Sequence, residues 1–263
     1  GDKARKQIPQ QHFNKKRNLK IPTLSYLIQG DKTILIDAGL TPDSVGRLPF
    51  PMKQFIQLSY HPELPDEDET LAAQLKHQGI EKIDTIVLTH LHWDHIAALE
   101  QIAQEFNPDN IVVSEKEYKH AEKFLGFMKG YARTFNPKSF LPAESYNFRE
   151  KEIDLEFLTG HSIGNIGLRA RNPHNPEQQA IIVGDAIESI ATLNDFSTPQ
   201  DYKTNHLQYE KNIILLRQRA EHGAVILSAH DPTINPFSGD FWSHQYNERQ
   251  RLQQKAIKGE KIE

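Results

Sequence analysis

The segment Thr89-His90-Leu91-His92-Trp93-Asp94-His95 places three imidazoles and a carboxylate within six consecutive positions beginning at His90. Residues two apart lie on opposite sides of a helix, so His90 and His92 cannot share one helical face. The segment therefore reads as a loop at the carboxyl end of Ile83–Leu88, whose apolar run is that of a buried strand. From such a loop, consecutive side chains can be aimed at two nearby points. Imidazole and carboxylate are ligands that suit zinc and other borderline divalent metals. The chain has no cysteine, which removes disulfides, thiolate ligands and a cysteine nucleophile together. Any metal site must be built from His, Asp or Glu.

The surrounding sequence alternates strand and helix signals. Thr23–Gln29 and Thr33–Gly39 read as strands around a turn at Gly30-Asp31, a β-hairpin that opens the fold. A long Pro-rich loop is expected from Thr41 to Asp68, with Phe50, Phe55 and Tyr60 embedded in it. Glu69–Gln78 reads as a helix closed by Gly79, and Ile96–Phe106 as another that stops before Asn107-Pro108. Asn110 onward reads as a short strand running into a helix. Lys123–Arg149 is aromatic-rich and weakly patterned. Three later strand runs follow, with a helix over Leu207–His222 before the last of them. With 263 residues, 37% of them hydrophobic, and no repeat or linker, one α/β domain over 1–263 is expected, preceded by a basic arm over about 1–20. That arm carries seven basic side chains against one acid and reads as a solvated tail.

The later strands each end in a candidate ligand: His161 in LTGHSIGN, Asp185 in VGDA and His230 in SAHD. Any one of these is an ordinary polar residue at a strand end. Three in order after the dense His/Asp loop read as one site at one edge of a sheet.

On these residues the chain resembles the metallo-β-lactamase superfamily, from the hairpin before Asp37 to His230. The resemblance implies an αββα sandwich. It implies that His90, His92 and His161 hold one divalent metal, that Asp94, His95 and His230 hold a second, and that Asp185 bridges them. Zinc is expected, with iron, manganese or cobalt as alternatives. Asp37, in LIDAG, matches a position that supports the ligands from behind. Two metals about 3.5–4 Å apart can share a hydroxide that is nucleophilic at neutral pH, so catalysis needs no protein nucleophile. Asp94 and Asp185 are the expected catalytic carboxylates, Asp94 also as a proton relay.

Within the superfamily the order of segments looks most like the N-acyl-homoserine lactonases. The blocks QLKHQGIEKIDTIVLTHLHWDH, IVVSEKEYKHA and TGHSIGN carry that likeness. It implies hydrolysis of lactone or ester bonds. Two features depart from it. The family pattern TPGHTPGH keeps Gly164 here but has Asn165 in place of its second histidine. Glu188, in GDAIES, stands where those lactonases have a tyrosine three residues after the bridging aspartate. Tyr26 and Tyr202 are the hydroxyls that could replace it. The segment of about 123–149 lies where relatives carry a substrate-facing cap, so Phe127, Tyr131, Phe50, Tyr60 and Glu188 are expected to line the pocket, with core packing as the alternative for the aromatics.

The alternatives are phosphodiester or organophosphate hydrolysis, a glyoxalase II-like thioesterase, and a non-catalytic sensor on the same fold. A net charge of −4 gives no strong nucleic-acid signal. No apolar stretch approaches the roughly 20 residues a spanning helix needs, and no membrane span is expected. The expected partner is a small-molecule substrate, with a homodimer as an option. A cytoplasmic location is expected; because the chain opens on Gly1 and the native N-terminus is not seen, a secreted or periplasmic one is the alternative.

Overall fold

The computed structural model describes residues 21–48, 50–59, 61–123, 140–195, 205–235 and 239–262. The basic arm, most of the aromatic stretch, Tyr60, Phe127, Tyr131 and Tyr202 lie outside them.

Nine strands are present among the described residues, in two sheets. The first runs β1 (Tyr26–Gln29), β2 (Thr33–Ile36), β3 (Thr85–Val87), β4 (Asn110–Val113) and β5 (Phe140–Pro142) in that spatial order. The β1–β2 pair is the expected antiparallel hairpin, and the pairs from β2 to β5 are parallel. The second sheet has the order β6 (Ile153–Phe157), β7 (Ile166–Asn172), β8 (Asn175–Gly184) and β9 (Val225–Ser228), with only β8–β9 parallel. The carboxyl ends of β6, β8 and β9 therefore lie at one edge.

Strand alternation explains the layers. Ile34, Ile36, Val87 and Val112 from the first sheet meet Ile166, Leu168, Ile182, Val225 and Leu227 from the second in a central core. The intervening residues Leu35, Ile86, Ile111 and Val113 turn outward into a core shared with helices α2 (Leu71–His77) and α4 (Leu99–Phe106). On the opposite side, Ile181, Val183 and Ile226 pack on α7 (His206–Glu221) and α9 (Tyr246–Ile257). Apolar side chains on both faces are why the strands read as continuous greasy runs. The result is the expected αββα sandwich.

Several local expectations need correction. The Thr41–Asp68 segment contains helix α1 (Met52–Ser59), whose Ile56 is buried while Phe55 is 43% exposed. The helix expected over Ile96–Phe106 is two pieces, α3 (Trp93–Ile96) and α4. They part because Gly39 pairs with Ile96 and its carbonyl accepts from Ala98 N at 3.1 Å. Within the aromatic stretch, Phe140 packs on the outer core, while Tyr146 and Phe148 pack on the central one, so these three are core and no cap wall. The remaining helices are α5 (Glu115–Lys123), α6 (Thr192–Asp195) and α8 (Phe241–His244). Neither α8 nor α9 was expected.

Candidate metal centre

Five strand ends deliver the site. Asp37 follows β2, the His/Asp segment follows β3, and His161, Asp185 and His230 follow β6, β8 and β9. The two sheets are tied together here by Ile166 N donating to Thr89 O at 2.8 Å and Leu24 N to Ala229 O at 2.9 Å. The motif is a loop only in its first half. His92 is the N-cap residue of α3, and Asp94 and His95 lie on that helix. The turn sends Asp94 and His95 to a different group of ligand atoms from His90 and His92, so one short segment serves two points.

All seven expected ligands converge. His90, His92, His161 and Asp185 form one group, and Asp94, His95 and His230 another; within each, the ligand atoms lie within 4.8 Å of one another. His92 Nδ1 is 2.9 Å from both His90 Nε2 and His161 Nε2. Asp94 Oδ2 is 3.4 Å from His230 Nε2 and 3.8 Å from His95 Nε2. Asp185 stands between the groups. Its Oδ2 lies 3.2 Å from His161 Nε2 and 3.8 Å from His90 Nε2, while its Oδ1 lies 3.3 Å from His95 Nε2 and 3.4 Å from His230 Nε2. One carboxylate oxygen thus faces each group.

The far side of several rings is already bonded. His95 Nδ1 donates to Asp37 Oδ2 at 2.8 Å, and His230 Nδ1 donates to Pro22 O at 2.8 Å. Thr89 Oγ1 donates to Asp37 Oδ2, so it accepts from His90 Nδ1, 3.1 Å away. Each bond keeps a ring proton on Nδ1 and makes Nε2 the nitrogen that faces the site. The residues fit divalent metal ions. His95 Nε2 and Asp185 Oδ1 are buried and make no hydrogen bond, a costly state that ligation would relieve.

Backbone conformation serves this arrangement. Asp37 has φ 58°, in the left-handed region that Asp tolerates better than most residues, and its carboxylate also accepts from Thr89 N at 2.8 Å. Gly184, just before Asp185, has φ 55°, and a Cβ there would meet Thr89 Oγ1 at 2.5 Å. Only glycine lets the β8 turn pass that close to Thr89.

The electrostatics are strongly coupled. Burial, then the neighbouring His95 and His92, push the His90 imidazole well below its ordinary pKa. Burial likewise brings His161 down to about 3. His95 and His230 go the other way: burial opposes their charge, but Asp185, with Asp37 and Asp94 at His95 and with Asp94 at His230, outweighs it and holds both well above the usual value. Asp94 is held at about 2, against burial, by His95 and His230.

Other expected residues are placed as follows. Glu188 is half-buried; its backbone carbonyl accepts from Ser228 Oγ at 2.7 Å. Burial first, then the charges of Glu188 and Asp185, raise the Tyr209 pKa. Tyr26 cannot serve as the replacement hydroxyl, because it donates to Ser228 O at 2.6 Å. Phe50 is 81% exposed. Three supports escaped the sequence reading. Glu117 on α5 accepts from Leu91 N and Gly164 N. Asn165 Nδ2 donates to Val183 O at 3.2 Å, linking the His161 loop to the strand that carries Asp185. Buried Asp231 pairs with Arg249 of α9 at 3.0 Å beside His230.

Comparison with known proteins agrees with this geometry. An N-acyl homoserine lactonase, AiiB of Agrobacterium fabrum, is 25% identical over 241 residues, 85% of this chain and 84% of that protein. A probable metallo-hydrolase of Methanocaldococcus jannaschii is 30% identical over 169 residues, 62% of this chain and 66% of that one. A solved N-acyl homoserine lactone hydrolase, with the product N-hexanoyl-L-homoserine at its catalytic metal center, superposes with a TM-score of 0.63 at 20% identity, covering 81% of this chain and 83% of its own. Residues 20–257 match the model of the metallo-β-lactamase superfamily, and this chain belongs to that superfamily as a metal-dependent hydrolase.

Proposed function

We propose that the seven side chains hold two divalent metal ions, zinc in the first instance, and that the centre hydrolyses lactone or ester bonds. His90, His92 and His161 are assigned to one ion, Asp94, His95 and His230 to the other, and Asp185 to both. The observation that carries this reading is the division of the Asp185 oxygens between the two groups, at 3.2 Å from His161 and 3.3 Å from His95. When bound, the two ions supply Lewis-acid polarisation of a carbonyl and a nucleophile drawn from water at neutral pH.

The chain's own residues do the rest. Asp37, Thr89 and the Pro22 carbonyl hold the Nε2 atoms of His95, His90 and His230 toward the site, so no reorientation accompanies turnover. Asp185, with 8% side-chain exposure, is enclosed and suits a fixed structural charge. Asp94, at 20%, is the more accessible carboxylate and is assigned to pass a proton to the leaving oxygen.

The substrate class is supported by the lactonase relative that matches 85% of this chain. Glu188 argues against a plain acyl-homoserine lactone, since it stands where those lactonases have a tyrosine hydroxyl and a carboxylate cannot donate to a developing oxyanion. Lactones and esters other than the simple acyl-homoserine type are therefore assigned. The test is one turnover panel with metal-loaded protein: acyl-homoserine lactones of varied chain length, unsubstituted lactones, aryl esters, S-lactoylglutathione, a phosphodiester, an organophosphate triester and nitrocefin. Turnover of lactones or aryl esters above the rest is expected. Inert lactones and esters beside an active phosphoester would overturn the substrate assignment while leaving the two-metal centre intact.

A further inference from the structure

The sequence Ser114-Glu115-Lys116-Glu117 has the spacing of a capping box, in which the glutamate turns back to bond the N-cap backbone. In the structure Glu117 does something else. Its Oε1 accepts from Leu91 N at 3.2 Å and its Oε2 from Gly164 N at 2.9 Å. Both oxygens are spent on other loops, and the side chain is buried. The start of α5 is instead served from outside by Glu144, which accepts from Ser114 Oγ at 2.8 Å and Glu115 N at 2.9 Å.

The two loops that Glu117 grips are not arbitrary. Leu91 lies between His90 and His92, and Gly164 lies three residues after His161. These three histidines, with Asp185, make one of the two ligand groups. The opposite group is held by different partners, Asp37 behind His95 and Pro22 O behind His230. Gly164 supplies a second, independent sign of close fit: a Cβ there would meet the Glu117 backbone N and Cβ at 2.6 Å and Ser114 Oγ at 2.7 Å. The His161 loop thus rests directly on the first turn of α5, and glycine is what permits it.

We infer that Glu117 is the positioning residue of the His90/His92/His161 half of the centre, clamping the two ligand loops to each other through one buried carboxylate. The inference rests on the two-metal reading above. A carboxylate is required because both partners are donors. A glutamine at this position offers one carbonyl oxygen, and its amide NH₂ must face the remaining backbone N–H. One loop is then released while the shape of the side chain is kept. Glu117 itself touches no ligand atom, so its effect must pass through the loop backbones to one ion and not the other.

The test uses the full chain, wild type and Glu117→Gln, stripped of metal and titrated with zinc against a competing chelator. Bound equivalents are read by elemental analysis, and metal-free melting temperature by circular dichroism. Wild type is expected to hold two equivalents. Glu117→Gln should hold one with unchanged affinity and the other at least about tenfold more weakly, the usual scale for a residue behind a ligand. Equal weakening of both ions, or of neither, overturns the inference and leaves the two-metal reading standing. Failure of wild type to take up two equivalents overturns that reading, and the inference with it. Should Glu117→Gln not fold, Gly164→Ala attacks the same contact from the other loop and must give the same one-ion defect; wild-type affinity at both sites in that variant overturns the inference.

Discussion

Replacing Asp37 by Asn separates the role of this carboxylate in metal binding from its role in folding. Asp37 faces three donors, each at 2.8 Å: Thr89 N on Oδ1, and Thr89 Oγ1 and His95 Nδ1 on Oδ2. Asparagine has nearly the same shape and also tolerates the left-handed backbone at φ 58°. Without metal, its NH₂ can take the Oδ2 position if His95 gives up its Nδ1 proton and keeps the one on Nε2, toward Asp185 Oδ1 3.3 Å away. The Thr89 hydroxyl loses its acceptor there and must turn to His90 Nδ1, 3.1 Å away, so metal-free stability should fall by no more than about 1–3 kcal/mol. Ligation demands the other tautomer. The amide must turn over, and its NH₂ then faces Thr89 N–H, a buried donor without a partner that costs about 1–3 kcal/mol. At about 1.4 kcal/mol per tenfold, metal affinity falls roughly 5- to 140-fold. Loss of the negative charge beside His95 acts in the same direction. Chelator competition measures the affinity, and melting of the metal-free protein measures the stability. A large drop in metal-free melting temperature with unchanged metal affinity would refute the tautomer argument.

Asp185→Asn should lower turnover by about two orders of magnitude, about 2.7 kcal/mol of transition-state stabilisation, and should weaken one ion more than the other. Unchanged turnover would mean that the ligand set is misassigned; His174→Ala, on an exposed turn, is the control and should stay within about 0.5 kcal/mol of wild type. Gly184→Ala adds a left-handed non-glycine residue and a 2.5 Å approach to Thr89 Oγ1, together about 2–4 kcal/mol; a melting temperature within about 2 °C of wild type would contradict the packing described here. With metal at 100 times the dissociation constant of each of the two ions, chelation should remove about 5.4 kcal/mol of stability and lower the melting temperature by roughly 10–20 °C. A melting curve indifferent to chelator would count against a bound metal.

The fold was legible wherever burial dictated residue type. β2, β3 and β4 face apolar layers on both sides, so their sequences could be little else than runs of Ile, Leu and Val. Helix α1 was hidden because its Pro-rich surroundings carry the signals of a loop and, among its described side chains, only Ile56 is buried deeply. The break between α3 and α4 was hidden for another reason. Ala97 and Ala98 are good helix formers, and the helix is interrupted by a tertiary bond to the Gly39 carbonyl, which no local pattern announces. Tyr146 and Phe148 looked like material for a pocket wall. Their T-shaped pair, with ring centres 5.0 Å apart, packs on the core between the sheets.

The site divides along the same physical line. A metal ligand must be one of very few residue types, so seven of them at successive strand ends stand out from a chain without cysteine. The groups that aim those ligands face no such restriction. His230 is oriented by the Pro22 backbone carbonyl, which any residue could provide and no sequence motif marks. Glu117 is concealed differently: its residue type is informative, but a capping box accounts for it locally and so removes the reason to look further. Asp37 was legible only because its LIDAG setting matches a position of the superfamily, and at a strand end a turn explains it almost as well. Ligand identity is thus a property of side-chain chemistry and can be read along the chain, whereas ligand orientation is a property of contacts between distant segments. Proteins of one superfamily can share the first and differ in the second, and in this chain contacts of the second kind are made by Glu117 and Asn165.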